Sequence, residues 1–303
     1  MSSPNQCWVV ERAESLEQWL ERQHSKPAFE EGRVFVDGRR ALDLTIIITP
    51  GSKLEIYAPR SGTPTARVLH RSGGWLFAEK PPGISTEPDK RGHSACVVSQ
   101  LAHELGIPAR NIHALSRLDL GVSGVVLLAL DEASRKRALA WRAAGQIRRR
   151  YVALGAGHPK PEQGEWNDAI ARGPADPRRQ VTDSGKASQS RYRVACCLTE
   201  GSPVCLLALE PVTGRTHQLR VHASAHGAPL LGDPSYGGPR RWVFENGQVI
   251  ALPRVLLHAS WAKLPGLPRV MAPIPADFSR IWQQLGGSEE DLERAVEVTV
   301  STC

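Results

Sequence analysis

Three separated segments of this chain hold side chains able to do chemistry. In SRLDLGVSGVVLLAL, residues 116–130, Asp119 stands just before a Ser-Gly turn that feeds a short apolar run. A carboxylate there sits at the mouth of a strand, held by a rigid element rather than a floppy loop. Arg117 lies two residues before it, and taken alone the segment is better described as a turn aspartate in a structural ion pair. A second stretch, residues 135–150, carries Arg135, Lys136, Arg137, Arg142, Arg148, Arg149 and Arg150 with no acid among them and ends at Tyr151. Cations beside an aromatic can grip a phosphate backbone and offer a stacking face to an exposed base; a solvated helix face followed by a core tyrosine has the same composition. The third segment, GRTHQLRVHASAHGAPLLGDPSYGG at 214–238, gathers Arg215, His217, Arg220, His222 and His226 around a predicted helix start. His222 and His226 have the i, i+4 spacing of metal ligands, but no glutamate or third ligand accompanies them as in a zincin helix, so no metal is expected. Arg215, near the helix N-terminus, is suited to a carboxylate or a phosphate.

The elements around these residues intermix without a regular βαβ rhythm, which reads as α+β. WLFAEK (75–80), GVVLLAL (124–130) and the runs 151–155, 189–199 and 203–210 read as strands. Helices are predicted at 94–105, stopped by Gly106, at 131–145, opening on acids and ending at Gly145, and at 216–227, closed by Gly227. Residues 1–60 form a small unit. It has a helix at SLEQWLERQ (15–23) with Leu16, Trp19 and Leu20 on one face, a hairpin around Asp37-Gly38, and short strands in TIIIT and KLEIY. A stretch rich in Pro, Gly and small polar residues, 58–68, reads as a linker, giving units at 1–60 and 70–303 joined by 61–69.

Composition narrows the class. Thirty-eight Lys and Arg against 31 Asp and Glu give a net charge of +7, a balance that suits a polyanionic partner or merely aids solubility. None of the six cysteines forms a C-x-x-C pair, which argues against zinc and fits a reducing cytoplasm. No stretch approaches a membrane span, the N-terminus lacks a secretory pattern, and no P-loop, dinucleotide fingerprint or nucleophile elbow is present. A cytoplasmic protein without a nucleotide or flavin site is expected.

Taken in order, these segments resemble the RluA family of pseudouridine synthases. SRLDLGVSGVVLLAL is similar to the family's H-R-L-D-x-x-T-S-G segment, RRRYVALGAG to its K-x-Y strand, and TGRTHQLRVH followed by PLLGDPSYGG to the segment whose arginine pairs with the catalytic aspartate. EKPPGISTEP (79–88) and LLHASWAKL (256–264) are two further landmarks, so the likeness spans roughly residues 70–285. It implies the pseudouridine synthase fold, a mixed, mostly antiparallel sheet with flanking helices, and a catalytic unit at 70–303 with a C-terminal helical tail. SLEQWL and EEGRVFVDGR resemble a reduced form of a small RNA-binding domain found in a ribosomal small-subunit protein and in many of these synthases. Ser116 stands where the family usually has His, and Val122 where it usually has Thr.

The reaction that the resemblance implies breaks the bond between uracil nitrogen and ribose, rotates the base and rejoins it through carbon 5. It needs no cofactor. Asp119 would act on the ribose, as nucleophile or as base at the 2′ position. Arg215 would pair with Asp119, keeping it ionised and oriented. Tyr151 would stack on the base and assist proton removal from carbon 5. Arg117, Arg149, His217 and Leu219 would bind substrate, with Leu219 an apolar wall of the pocket. The implied partner is ribosomal or transfer RNA met by a monomer, with no membrane and no metal. Two other readings stay open: a non-catalytic RNA-binding paralogue that retains the cleft, and a hydrolase pairing Asp119 with His217.

Overall fold

All seven residues of Ser123–Ala129 are buried, so this strand must have neighbours on both edges and cover on both faces. The computed structural model describes residues 6–57, 64–89, 96–173, 178–199 and 201–300, and it places that strand inside a ten-stranded sheet. In order, the main path runs Gln163–Trp166, Ser190–Leu198, Val204–Pro211, Arg148–Ala156, Leu257–Lys263, Ser123–Ala129, Trp75–Lys80 and Arg67–Ser72. Ser123–Ala129 and Leu257–Lys263 pair parallel, and the other pairs along this path are antiparallel. The expected mixed, mostly antiparallel sheet with flanking helices is therefore the architecture found.

The parallel pair sits at mid-sheet, where Ser123 and Gly124 face His258 and Ala259. Gly124 has φ +115°, and a Cβ there would lie 2.2 Å from the Ala259 carbonyl oxygen. Only glycine permits that approach. On the other edge of Leu257–Lys263 the register shifts between Arg150, opposite Trp261, and Val152, opposite His258. Ser123, His258 and Val152 thus share one row across three strands, which brings the loop ending at Ser123 close to Tyr151, at the register shift itself. Bulges of this kind re-aim a side chain locally.

Each face of the sheet has its own apolar layer. The helices Val97–Leu105 and Gln218–Ala225 cover one, where Leu101, Tyr151, Leu209 and Leu219 pack together. The C-terminal helices Ala276–Gln284 and Glu289–Glu297 cover the other, closing Phe278, Ile281, Trp282 and Leu292 over Val152, Leu154 and Leu206. A third cluster lies where Glu132–Ala143 meets Trp75, Phe77 and Leu127, with Trp141 stacked on Trp75 at 4.9 Å.

The N-terminal part has a separate four-stranded sheet, ordered Gln6–Val9, Lys53–Ile56, Val34–Val36, Arg39–Arg40. Its helix Leu16–Arg22 buries Leu16, Trp19 and Leu20, the face that sequence periodicity indicates. The following helix is five residues long, Lys26–Glu30. Asp37 and Gly38 both take positive φ in the turn between Val34–Val36 and Arg39–Arg40, as a tight hairpin requires. Residues 58–63 of the Pro/Gly-rich stretch lie outside the described residues. The edge strand of the large sheet already begins at Arg67, inside the stretch whose composition suggests a linker; RVLH alternates weakly, and pairing with Trp75–Lys80 recruits it.

Candidate active site

Asp119 closes a tight turn: the Val122 N–H donates to its carbonyl at 3.0 Å. Two buried polar residues from the EKPPGISTEP segment fix that turn. Lys80, fully buried, donates from Nζ to the carbonyls of Val122 at 2.7 Å, Pro81 at 3.1 Å and Leu120 at 3.3 Å. Thr86 Oγ1 accepts from the Leu118 N–H at 3.1 Å and donates to the Leu118 carbonyl at 3.3 Å. Buried polar groups are retained where their partners are met, and here the partners are the backbone on both sides of Asp119. The two departures from the family pattern serve the same scaffold. Ser116 Oγ accepts from the Leu127 N–H at 3.0 Å, and Val122 is packed in the core.

The carboxylate of Asp119 meets the helix Gln218–Ala225. Arg220, in the first turn of that helix, donates from Nη1 to Asp119 Oδ2 at 2.8 Å. Its remaining edge grips Asp233 in a bidentate pair, Nε to Oδ2 at 2.6 Å and Nη2 to Oδ1 at 2.7 Å. Beneath it lies the Tyr236 ring, 4.9 Å from the guanidinium carbon. Burial works against the charge on Arg220, but Asp233 and Asp119 outweigh it and hold its pKa above the ordinary arginine value. Asp233 is 1% exposed and Asp119 28%, so the far carboxylate anchors the cation while the near one remains open to solvent.

The arginine expected to pair with Asp119 is therefore five residues out of place. Arg215 precedes the helix, is exposed, and donates from Nε to the Ala187 carbonyl at 3.2 Å. The helix begins only at Gln218, after His217 in a left-handed conformation with φ 57°, and this turn sends the chain at Arg215 away from the carboxylate. Buried Gln218 fixes the loop: its Oε1 accepts from the Arg215 N–H at 2.9 Å and Thr213 Oγ1 at 2.6 Å. Helix phase then points Arg220 inward. A signal for this was present, since a cation inside so buried a helix requires carboxylate partners and the turn GDPSYGG supplies one.

His217 bridges the network. Its Nδ1 lies 2.7 Å from the Tyr236 hydroxyl and its Nε2 3.7 Å from Asp119 Oδ2. Burial lowers its pKa, with Asp119 pulling the other way. Tyr151 is 6% exposed and shares a cluster with Leu219. Burial raises the Tyr151 phenol pKa, opposed by Arg149 and reinforced by the negative charge of Asp119. Strand alternation separates the three arginines before it. Arg149 is on the Tyr151 face and donates to the Thr213 carbonyl at 3.2 Å. Arg148 and Arg150 turn to the opposite face, onto Glu210 at 3.3 and 2.7 Å. The acid missing from residues 135–150 thus comes from a neighbouring strand, and two of the seven cations there are ion-paired to it. Arg117 is exposed, 3.5 Å from Glu87. His222 and His226 contact Asp168, through its carbonyl at 3.2 Å and its carboxylate at 2.7 Å. Among the described residues no group of three His, Cys, Asp or Glu is placed to hold a metal.

A central mixed sheet with an open aspartate braced by a buried arginine defines a site at mid-sheet, and comparison with known proteins gives it a class. The family profile described as RNA pseudouridylate synthase matches residues 74–225. The dual-specificity RNA pseudouridine synthase RluA of Escherichia coli strain K12 is 31% identical over 231 residues, covering 74% of this chain and 99% of that protein. An uncharacterized RNA pseudouridine synthase of Bacillus subtilis, YhcT, is 29% identical, over 71% of this chain and 70% of its own length. The solved structure of human RNA pseudouridylate synthase domain containing 1 superposes with a TM-score of 0.59 at 25% identity, covering 80% of this chain and 99% of that one. This chain belongs to the RluA family of RNA pseudouridine synthases, a family of isomerases. Among the described residues no helix is long and apolar enough to cross a membrane.

Proposed function

We propose that this protein converts uridine to pseudouridine in structured ribosomal or transfer RNA, with Asp119 acting on the ribose of the target nucleotide. The observation that carries this reading is the asymmetric clamp on Arg220: one carboxylate sealed, the other open beside a buried tyrosine and an apolar wall. In the reaction the N1–C1′ bond breaks, the base turns, a C5–C1′ bond forms, carbon 5 loses a proton and N1 gains one. The atoms balance without a cofactor. Arg220 holds Asp119 charged and aimed. Tyr151 stacks on the base beside carbon 5 and assists the loss of its proton, and burial raises the phenol pKa. Leu219 walls the pocket, and His217, Arg117, Arg149 and Arg215 at its mouth bind the flanking nucleotides. The uridine must leave its stack to enter.

The small N-terminal unit adds RNA contacts. On this reading the enzyme acts as a cytoplasmic monomer. The test is purified protein incubated with bulk RNA from cells that lack it, followed by pseudouridine quantification and site mapping. New pseudouridine at defined sites in intact strands is the expected result. Free uracil or cleaved strands would identify a hydrolase, and tight binding without product a non-catalytic paralogue.

A further inference from the structure

Near Asp119, two cations line one small cavity where, among the described residues, no carboxylate is ion-paired to them. Arg142 lies in the last turn of the helix Glu132–Ala143 and Arg149 is the second residue of the strand Arg148–Ala156; both line one small cavity with Ser116, Leu115, Leu127 and Val212. Arg142 makes no ion pair among the described residues, and burial of its guanidinium together with the charges of Arg149 and Arg117 lowers its pKa. Arg149 has its Nε buried without a hydrogen-bond partner among the described residues, and its Nη2 donates to the carbonyls of Pro211 at 3.4 Å and Thr213 at 3.2 Å. Arg117 has one acidic neighbour, Glu87, at 3.5 Å with both side chains exposed, a contact worth roughly 0–1 kcal/mol. Elsewhere on this molecule crowded guanidinia are neutralised: Arg220 by two aspartates, Arg150 by Glu210 and Arg254 by Asp277.

An uncompensated group of like charges lining a cavity is suited to a mobile anion, and guanidinium forks match phosphate oxygens in geometry. Arg149 also carries the link to the reacting centre. Its guanidinium lies about 3.8–3.9 Å from where a Cβ of Gly214 would stand, at the start of the loop that leads to His217 and Arg220, and its strand neighbour on the same face is Tyr151.

We infer that Arg142 and Arg149 form a phosphate-binding subsite that seats one backbone phosphodiester of the RNA next to the flipped uridine. The identity of the polyanion rests on the function proposed above. Arg142 is the diagnostic member, because it touches nothing in the aspartate network. The subsite sets the register of the strand, so that losing it weakens binding more than it slows conversion of RNA already bound.

The experiment is RNA binding by the full chain as a function of salt, using total transfer RNA as probe, for wild type, Arg142→Gln, Arg142→Lys and, as a control on the same helix, Arg137→Gln. Removing one phosphate contact is expected to make the slope of log K against log salt shallower by about 0.7–0.9. Arg142→Gln should show that change and bind about three- to tenfold more weakly at low salt, a size set by one lost charge contact. Arg142→Lys should recover the slope, and Arg137→Gln should leave it unchanged. Identical slopes for wild type and Arg142→Gln, or an equal change in Arg137→Gln, overturn the subsite. Because binding is read without turnover, a protein that makes no pseudouridine but shows the Arg142 slope change keeps the subsite and loses the proposed reaction. Pseudouridine formation with an unaltered Arg142→Gln slope does the reverse.

Discussion

Arg220 and Arg150 are buried guanidinia on opposite faces of one sheet, and they are finished differently. Arg150 is closed on every side: Glu210 at 2.7 Å, the Trp261 ring 5.5 Å away, and the Val298 carbonyl from the C-terminal helix region. Its partner Glu210 is 9% exposed. Arg220 is as well anchored through Asp233, but its third contact is a carboxylate left 28% open. Burying an ion pair returns little net stability, whereas stranding one partner costs several kcal/mol. Arg150 therefore ties the C-terminal helices to the sheet, while Arg220 spends the same kind of anchor on orienting a group that faces solvent. The contrast is one of exposure: Glu210 is closed in around Arg150, and Asp119 stays open beside Arg220.

Breaking both anchors is the sharpest way to probe this difference. Arg220→Met strands Asp233 and is expected to lose about 3–5 kcal/mol in urea unfolding, whereas Arg150→Met is expected to lose less, because Arg148 still reaches Glu210 at 3.3 Å. Their activities should part. Per folded molecule, Arg150→Met should keep the wild-type single-turnover rate. Arg220→Met should fall about 10- to 100-fold, the worth of a hydrogen bond to a charged group at ~1.5–3 kcal/mol. Equal activity losses would erase the distinction between the two faces. A smaller effect is expected at Tyr151, where Tyr151→Phe preserves the stacking ring and removes the hydroxyl. Single-turnover conversion should slow by about tenfold while RNA affinity holds, and an unchanged rate removes the proton-transfer role. Smallest of all is Arg215→Gln, exposed and clear of Asp119. Its stability should stay within about 0.5 kcal/mol of wild type and its rate at saturating RNA within about twofold, with any change confined to affinity.

Sequence and structure agree where the signal is local. The RLD turn before an uninterrupted apolar run, the Asp37-Gly38 hairpin and the helix closed by Gly227 all carry their cause in adjacent residues. Of the residues that the sequence singles out, His217 lies 3.7 Å from Asp119, and Tyr151, within reach of the Asp119 charge, shares an apolar cluster with Leu219. The sequence reading failed at Arg215 because two arginines five residues apart compete for one carboxylate, and the left-handed residue at His217 that decides between them has no signature in a stretch reading THQ. Lys80 and Thr86 were invisible as supports of Asp119 because they act on backbone carbonyls about 40 and 32 residues away along the chain. The division of Arg148, Arg149 and Arg150 between two faces was available from strand alternation. It required knowing that the strand starts before Tyr151 rather than at it.

The most direct measurement is single-turnover pseudouridine formation by Asp119→Asn, with RNA affinity and the unfolding midpoint taken from the same preparation. Asparagine keeps the size and can still accept from Arg220, so the fold and binding are expected to stay near wild type while the rate falls by at least about 10²–10⁴-fold, the range of a lost acid–base group. An Asp119→Asn protein that folds, binds RNA and isomerises uridine at the wild-type rate would contradict the assignment of the reacting carboxylate.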